Sequence, residues 1–261
     1  MKIELLVASM HANPEQLFKK MNLSSDAIII NQCDTCAYKT YSFQGHTIHF
    51  YSMNEKGVGL SRNNALLRAS HTISLFSDSD IEYYDDYQEK VIQEFNAHPK
   101  ADMILFNFDV IQSRQTYHTE CFHKVSFYNC GRYPTFSFAI RTKKMHANNL
   151  TFSLLFGGGA KYSNGEDSLF LQSCLRAKLK IYASPICLGK EDATPSTWFH
   201  GYTKKFFIDR GVLYHFLYGK MAKLFGFRFI YKHKKTLCET IPAKEAFQFL
   251  CQGINIGKKE K

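Results

Sequence analysis

The sequence predicts an α/β fold, with a mostly parallel central sheet flanked by helices and a helical C-terminal extension. Three observations carry that expectation. Short apolar runs at residues 3–8, 27–30, 73–76 and 103–106 alternate with stretches whose apolar residues recur at helical spacing, the pattern of βαβ units. One run ends in the acids of Asp78-Ser79-Asp80, at the kind of strand end where open sheets bind ligands. Beyond Thr203 the pattern changes to aromatic and aliphatic residues set among lysines, as in helices docked on a core or lying on a surface.

Residues 3–8 form the first strand. Asn13-Pro14-Glu15 opens a helix, since proline is preorganised for a first helical position, and Leu17, Phe18 and Met21 share one face of it. Ala27-Ile28-Ile29-Ile30 reads as a buried strand ending at Asn31, and residues 46–51 alternate as a third strand. Gly57-Val58-Gly59-Leu60-Ser61 leads into a helix through Leu67, and the acid-bearing strand follows. A helix near residues 85–95 precedes the strand at 103–106. Residues 112–141 turn polar and strand-rich, as expected of an antiparallel insertion or edge. Gly157-Gly158-Gly159 has the composition of a hinge, and a helix is expected from about Gly165 to Ala177, before a strand at Ile181-Tyr182-Ala183.

At 261 residues the chain can hold one large domain, or one domain with a small appendage. The division expected is residues 1–195 and a basic helical extension, 196–261. No apolar stretch approaches the ~18 residues that span a bilayer, and the N-terminus, with Glu4 inside its apolar run, reads as a strand and not as a signal peptide. Eight scattered cysteines read as reduced thiols of a cytoplasmic protein. Cys33 and Cys36 have zinc-ligand spacing but no second matching pair, so they read as loop thiols. The net charge of +10 calls for an anionic partner, and most of the surplus lies beyond Thr203.

Side chains two apart on a strand point to one face, so Asp78 and Asp80 are expected to project together. Paired carboxylates repel, and the usual remedy is a divalent cation that also binds substrate phosphates. Glu166-Asp167 either stabilises a helix start capped by Ser163 or Asn164 or carries chemistry.

Taken in order, Gly59-Leu60-Ser61-Arg62-Asn63, Asp78-Ser79-Asp80 and Asn164-Gly165-Glu166-Asp167 resemble the motifs of family 2 glycosyltransferases, over about residues 1–190. The resemblance implies the GT-A Rossmann-like fold. It implies metal-dependent, inverting transfer from a nucleotide sugar, UDP-sugar favoured, to a hydroxyl of a glycan or lipid-linked acceptor in surface polysaccharide biosynthesis. Asp80, with Asp78, then holds Mg²⁺ or Mn²⁺ on the donor diphosphate. Ser9 and Asn31 face the nucleotide base, and Arg62 lies near the nucleotide or pyrophosphate. Many members carry an aspartate near the second position, where this chain reads Asn31-Gln32-Cys33-Asp34, so base selection is open. Asp167 is the base that deprotonates the acceptor, with Glu166 supporting it or touching the acceptor. Gly158, in a loop suited to hinge a lid, and Trp198 are acceptor-side candidates; Trp198 either stacks on an acceptor sugar or packs in the core. His200 is a further metal-ligand candidate, because some enzymes of this fold recruit a late histidine; a lone histidine is more often structural. The Gln-x-x-Arg-Trp motif of processive members is absent, which points to single-sugar transfer.

Other classes fit less well. Gly57 and Gly59 lack the third glycine of a dinucleotide fingerprint. The stretch Ala8-Ser9-Met10-His11-Ala12-Asn13 has neither the glycines nor the cations of a nucleotidyltransferase phosphate loop. The non-enzymatic alternative is an α/β protein that binds nucleic acid or membrane through its basic C-terminal region, but no nucleic-acid-binding signature accompanies the charge, and no nucleic acid is expected. The basic region either packs on the catalytic domain with its lysines solvated, or lies on an anionic leaflet. The latter would put the enzyme at the inner face of the cell membrane.

Overall fold

The computed structural model describes residues 1–111, 115–192 and 201–260. Within them the strands are β1 (Ile3–Met10), β2 (Asp26–Gln32), β3 (Ala37–Phe43), β4 (His46–Met53), β5 (Ile73–Asp78), β6 (Ile81–Tyr83), β7 (Met103–Asp109), β8 (His123–Lys124), β9 (Phe138–Arg141) and β10 (Ile181–Glu191). They form one sheet in the order β3-β4-β2-β1-β5-β9-β7-β10-β6, with β8 pairing to β10. The β4-β2-β1-β5 half is parallel. β9 then runs antiparallel between β5 and β7, and β10 returns parallel to β7. The expected mostly parallel α/β architecture is present.

Both faces of the sheet are covered, which is why its strands read as continuous apolar runs. Alternate residues of β1 go to opposite sides. Leu5 and Val7 pack with Phe18 of α1 (Pro14–Lys20) and Phe95 of α3 (Tyr87–Ala97), whereas Leu6 packs with Leu66 of α2 (Val58–Arg68), Met145 of α4 (Thr142–Ala147) and Phe170 of α5 (Glu166–Arg176). Asn13 caps α1 by accepting from the Gln16 amide at 3.2 Å, with Pro14 first in the helix. At the opposite end of the sheet the buried Glu4 carboxylate accepts from the amides of Ser70 and His71, both at 2.7 Å, and from the Ser74 hydroxyl at 3.1 Å. That contact fixes where β5 starts.

The structure corrects several sequence expectations. The strand at residues 46–51 is the fourth, because β3 precedes it in an antiparallel hairpin. Residues 115–137 are largely irregular, and β9 is a buried strand inside the sheet, not an edge. Asp78 is the last residue of β5, but Asp80 lies in the following turn, so two-residue alternation does not govern their relative direction. The α5 N-cap is Gly165, at φ 114°, instead of Ser163 or Asn164. The three glycines form a packed turn. The Gly158 carbonyl accepts from the Val58 amide at 2.9 Å, and a Cβ on Gly157 would lie 2.9 Å from the Glu166 carboxyl carbon.

Beyond residue 201, α6 (Lys204–Tyr218), α7 (Ala222–Lys232), α8 (Lys234–Leu237) and α9 (Ala243–Gly257) build a third apolar cluster around Phe207, Leu213 and Leu250. The boundary expected at 195/196 lies outside the described residues. Thr203 caps α6, its hydroxyl accepting from the Phe206 amide at 3.4 Å. α6 and α9 cross at glycines. A Cβ on Gly211 would sit 2.0 Å from the Leu250 carbonyl oxygen, and one on Gly253 would sit 2.0 Å from the Ile208 carbonyl oxygen. Forcing backbones apart in a packed core costs about 1–3 kcal/mol. Gly253→Ala is therefore expected to lower the melting temperature by about 5 °C, measurable by circular dichroism; an unchanged melting temperature would refute the tight crossing.

Candidate active site

The site forms at the carboxyl ends of β1, β2 and β5. Ser9 and Asn31 are register partners on β1 and β2, and Ala8 pairs with Asp78 on β5. The buried Ser9 hydroxyl donates to Asn31 Oδ1 at 3.2 Å, and the Ala12 amide donates to the same oxygen at 2.9 Å. The Asn31 carbonyl thus shapes the loop after β1. The Gln32 side chain reaches across to accept from the Gly57 amide at 2.8 Å, tying the end of β2 to the start of α2.

Arg62 occupies the centre. Its side chain is 6% exposed, and Nη2 donates to both oxygens of Asp78, at 3.0 and 3.2 Å. Nη1 donates to Glu166 Oε1 at 2.8 Å. Burial opposes the charge on this guanidinium, but the Asp78 and Glu166 carboxylates outweigh it and raise its pKa. The guanidinium also lies 5.6 Å from the centre of the Phe152 ring. Phe152 stacks on Phe170 of α5 at 4.0 Å and meets Phe76 of β5 edge-on at 5.1 Å. Asn63 holds the Phe152 backbone from both sides, donating to its carbonyl at 2.9 Å and accepting from its amide at 2.7 Å. A Cβ on Gly59 would lie 2.5 Å from the Ser153 carbonyl oxygen, so this helix approaches as closely as only glycine permits.

Asp167 follows Glu166 in the first turn of α5. Some of its surface remains accessible, yet burial is the largest influence on its carboxyl and pushes its pKa up, with the adjacent Glu166 adding to the effect. The Ser168 amide, Arg62 and Arg210 pull the other way, and the net position is about 7. A helix N-terminus favours an ionised acid; here desolvation outweighs it.

The C-terminal helices brace this turn. Asp209 of α6 is 3% exposed and accepts from the amide and hydroxyl of Ser163, at 3.0 and 2.9 Å, and from Lys205 at 2.6 Å. Leu213 of α6 packs against Gly165, where a Cβ would meet its side chain at 2.5 Å. The Arg210 guanidinium rests 5.3 Å from the Phe206 ring centre and 5.2 Å from that of Phe229.

Of the residues singled out from sequence, Arg62, Asp78, Glu166 and Asp167 come together as one cluster, and Ser9 and Asn31 pair beside it. Asp80 stands in the turn after Asp78, and the Gly158 carbonyl is engaged at the start of α2. Trp198 and His200 lie outside the described residues. Sequence reasoning missed the Asn63 clamp and the Asp209 brace. Asp209 did carry a signal, being the single acid between Thr203 and Cys238.

The donor set bears on a metal. Asp78 and Asp80 offer hard oxygen ligands, but both oxygens of Asp78 bond to Arg62. Among the described residues no group of three or more His, Cys, Asp or Glu side chains is arranged for a metal. Asp80 carries a hard carboxylate oxygen of the kind Mg²⁺ takes one or two of when substrate phosphates supply the rest.

Residues 29–157 match the family profile described as glycosyl transferase family 2. Over that segment the chain carries a family 2 glycosyltransferase domain. The matched segment of the glycosyltransferase contains Asn31, Arg62, Asp78 and Asp80, while Ser9, Glu166 and Asp167 lie outside it. Its fold is similar to that of S. aureus TarS 1–349 in complex with UDP-GlcNAc, with TM-score 0.62, 15% identity, and 98% of this chain and 79% of that chain covered. It is also similar to the mannosyltransferase PcManGT from Pyrobaculum calidifontis in complex with GDP-Man and Mn²⁺, with TM-score 0.54, 11% identity, and 100% and 76% covered. No curated protein matches the sequence. The GT-A fold expected from sequence is shown, and the non-enzymatic alternative gives way to an enzyme.

Two outcomes follow for the glycosyltransferase. Arg62→Met leaves two carboxylates facing each other without their cation and is expected to destabilise by about 3 kcal/mol at neutral pH. Urea unfolding midpoints at neutral pH measure that loss. Asp167 holds its proton to higher pH than an unfolded chain does, so its contribution to stability falls as pH rises from 3.8 to about 7. Asp167→Asn should melt above wild type at about pH 8, with the gap closing toward about pH 4; a pH-independent gap would exclude the raised carboxyl.

Proposed function

We propose that the enzyme transfers a single sugar from a nucleotide sugar, with UDP-sugar favoured, to a hydroxyl of a glycan or lipid-linked acceptor in surface polysaccharide biosynthesis. The anomeric centre is inverted. The observation that carries this reading is the meeting of Asp78 and Glu166 on Arg62, next to Asp167. It joins the strand end where a donor diphosphate belongs to the helix start where an acceptor base belongs. The complexes of TarS with UDP-GlcNAc and of PcManGT with GDP-Man support a nucleotide-sugar donor.

In this reading Ser9 and Asn31 line the side of the nucleotide base. Asp80 would hold Mg²⁺ or Mn²⁺, which when bound would supply positive charge to the leaving diphosphate. Arg62 keeps Asp78 and Glu166 in place and fixes the first turn of α5 relative to the donor. Asp167 takes the proton from the acceptor hydroxyl. The oxygen then bonds to the anomeric carbon on one face as the bond to the diphosphate oxygen breaks on the other, and the proton remains on Asp167. A carboxyl whose pKa lies near neutrality is well matched to that task. The eight free cysteines suit a reducing cytoplasmic setting.

The test is thermal stabilisation by UDP, GDP and CMP, each with and without Mn²⁺. Saturating UDP with Mn²⁺ is expected to raise the melting temperature by about 5 °C, and Asp80→Ala should abolish the shift. Asp167→Asn should keep the shift and lose about 10²–10⁴ in transfer rate. A silent response to all three nucleotides would overturn the donor assignment.

A further inference from the structure

We infer that the outer face of α7 seats the protein on an anionic lipid bilayer as an interfacial helix. This concerns anchoring, not chemistry, and stands on observations separate from the catalytic cluster. The inner face of α7 is made of Ala222, Gly226 and Ile230, all buried, and Gly226 lies so close to Leu250 of α9 that a Cβ would meet its side chain at 2.4 Å. Packing on the protein therefore uses one side of the helix only. On the other side Met221, Leu224, Phe227 and Tyr231 are 53%, 62%, 57% and 76% exposed. Their spacings of three and four residues align them in one stripe. The Phe227 and Tyr231 rings lie stacked at 6.2 Å, and Phe227 meets Phe247 edge-on at 5.9 Å, so the apolar surface is preformed.

Charge identifies the occupant. Lys220, Lys223, Arg228, Lys232, Lys234 and Lys235 are all exposed around the stripe, and no acid occurs between Asp209 and Glu239. Protein interfaces are depleted in lysine, whereas large apolar side chains rimmed by lysine are the composition of helices that lie at the headgroup level of acidic membranes. The 11 residues of α7 extend about 16 Å, short of the ~30 Å hydrocarbon layer. No helix of the described residues is long and apolar enough to cross a membrane. The helix would therefore lie in the plane of the surface, with Leu224, Phe227 and Tyr231 in the acyl boundary and the cations among the headgroups.

Sedimentation of the full chain with large vesicles tests this, using phosphatidylcholine alone and with about 30% phosphatidylglycerol. Wild type is expected to pellet with the anionic vesicles at low salt, and at least about tenfold less with neutral vesicles or in about 0.5 M salt. The paired change Leu224→Ser with Phe227→Ser, and separately Lys223→Glu with Lys232→Glu, should each weaken binding about tenfold or more, the charge pair with the melting temperature unchanged. Lys223 and Lys232 are exposed, so an unchanged melting temperature of the charge pair separates lost binding from misfolding. Wild type that stays in solution, or variants that pellet as wild type does, would overturn the assignment. So would a dimer in solution that the serine pair dissolves while vesicle binding is missing, since the stripe would then be a contact between copies. Either failure leaves the nucleotide and transfer measurements standing.

Discussion

Removing a guanidinium from water costs far more than a typical side-chain contact returns, and the interior accepts Arg62 only because two carboxylates meet it. Those carboxylates come from segments 16 and 104 residues away in sequence. Each would be an awkward neighbour of the other without the cation between them. The three groups are therefore mutually obligatory: the strand end, the middle of α2 and the start of α5 must arrive together or all three charges are stranded. A lysine could not replace this arrangement, because it lacks the planar fork that serves both partners at once. Behind the charges, the Phe152, Phe170 and Phe76 rings form a dry backing that limits screening.

The rest of the architecture holds this junction still. Glu4 pins the loop at the start of β5, while Arg62 holds its last residue. Asp209 and Leu213 of the C-terminal helices steady the turn leading into Glu166 and Asp167. The C-terminal helices are therefore part of the candidate site's scaffold. That division of labour lets one segment carry a polar brace on α6 and an apolar, basic exterior on α7.

Much of this was legible in the sequence because βαβ units leave continuous apolar runs, and because the Arg62, Asp78 and Glu166-Asp167 motifs stand in a recognisable order. What escaped had physical reasons. β3 buries little of either face, so no apolar period marks it; the available signal was Gln44-Gly45, a two-residue turn with φ of 50° and 80°. β9 is four residues long, and its place between β5 and β7 is decided by tertiary pairing that no local pattern encodes. The N-cap of α5 went to Gly165 because Leu213 crowds that position, a contact 48 residues distant in the chain. The balance between burial and the helix dipole at Asp167 depends on packing density, which sequence does not contain.

The position of β9 also has a temporal consequence. β5 cannot complete its ladder with the next strand in the chain, because its neighbour is built from residues 138–141. β7 in turn waits for that same strand on one side and for β10 on the other. The sheet therefore closes through pairings of high sequence separation, and loop-closure entropy must be met before those ladders form. During synthesis the edge of β5 stays open until at least 60 further residues have emerged, an interval in which an unpaired apolar strand is exposed to association with other chains.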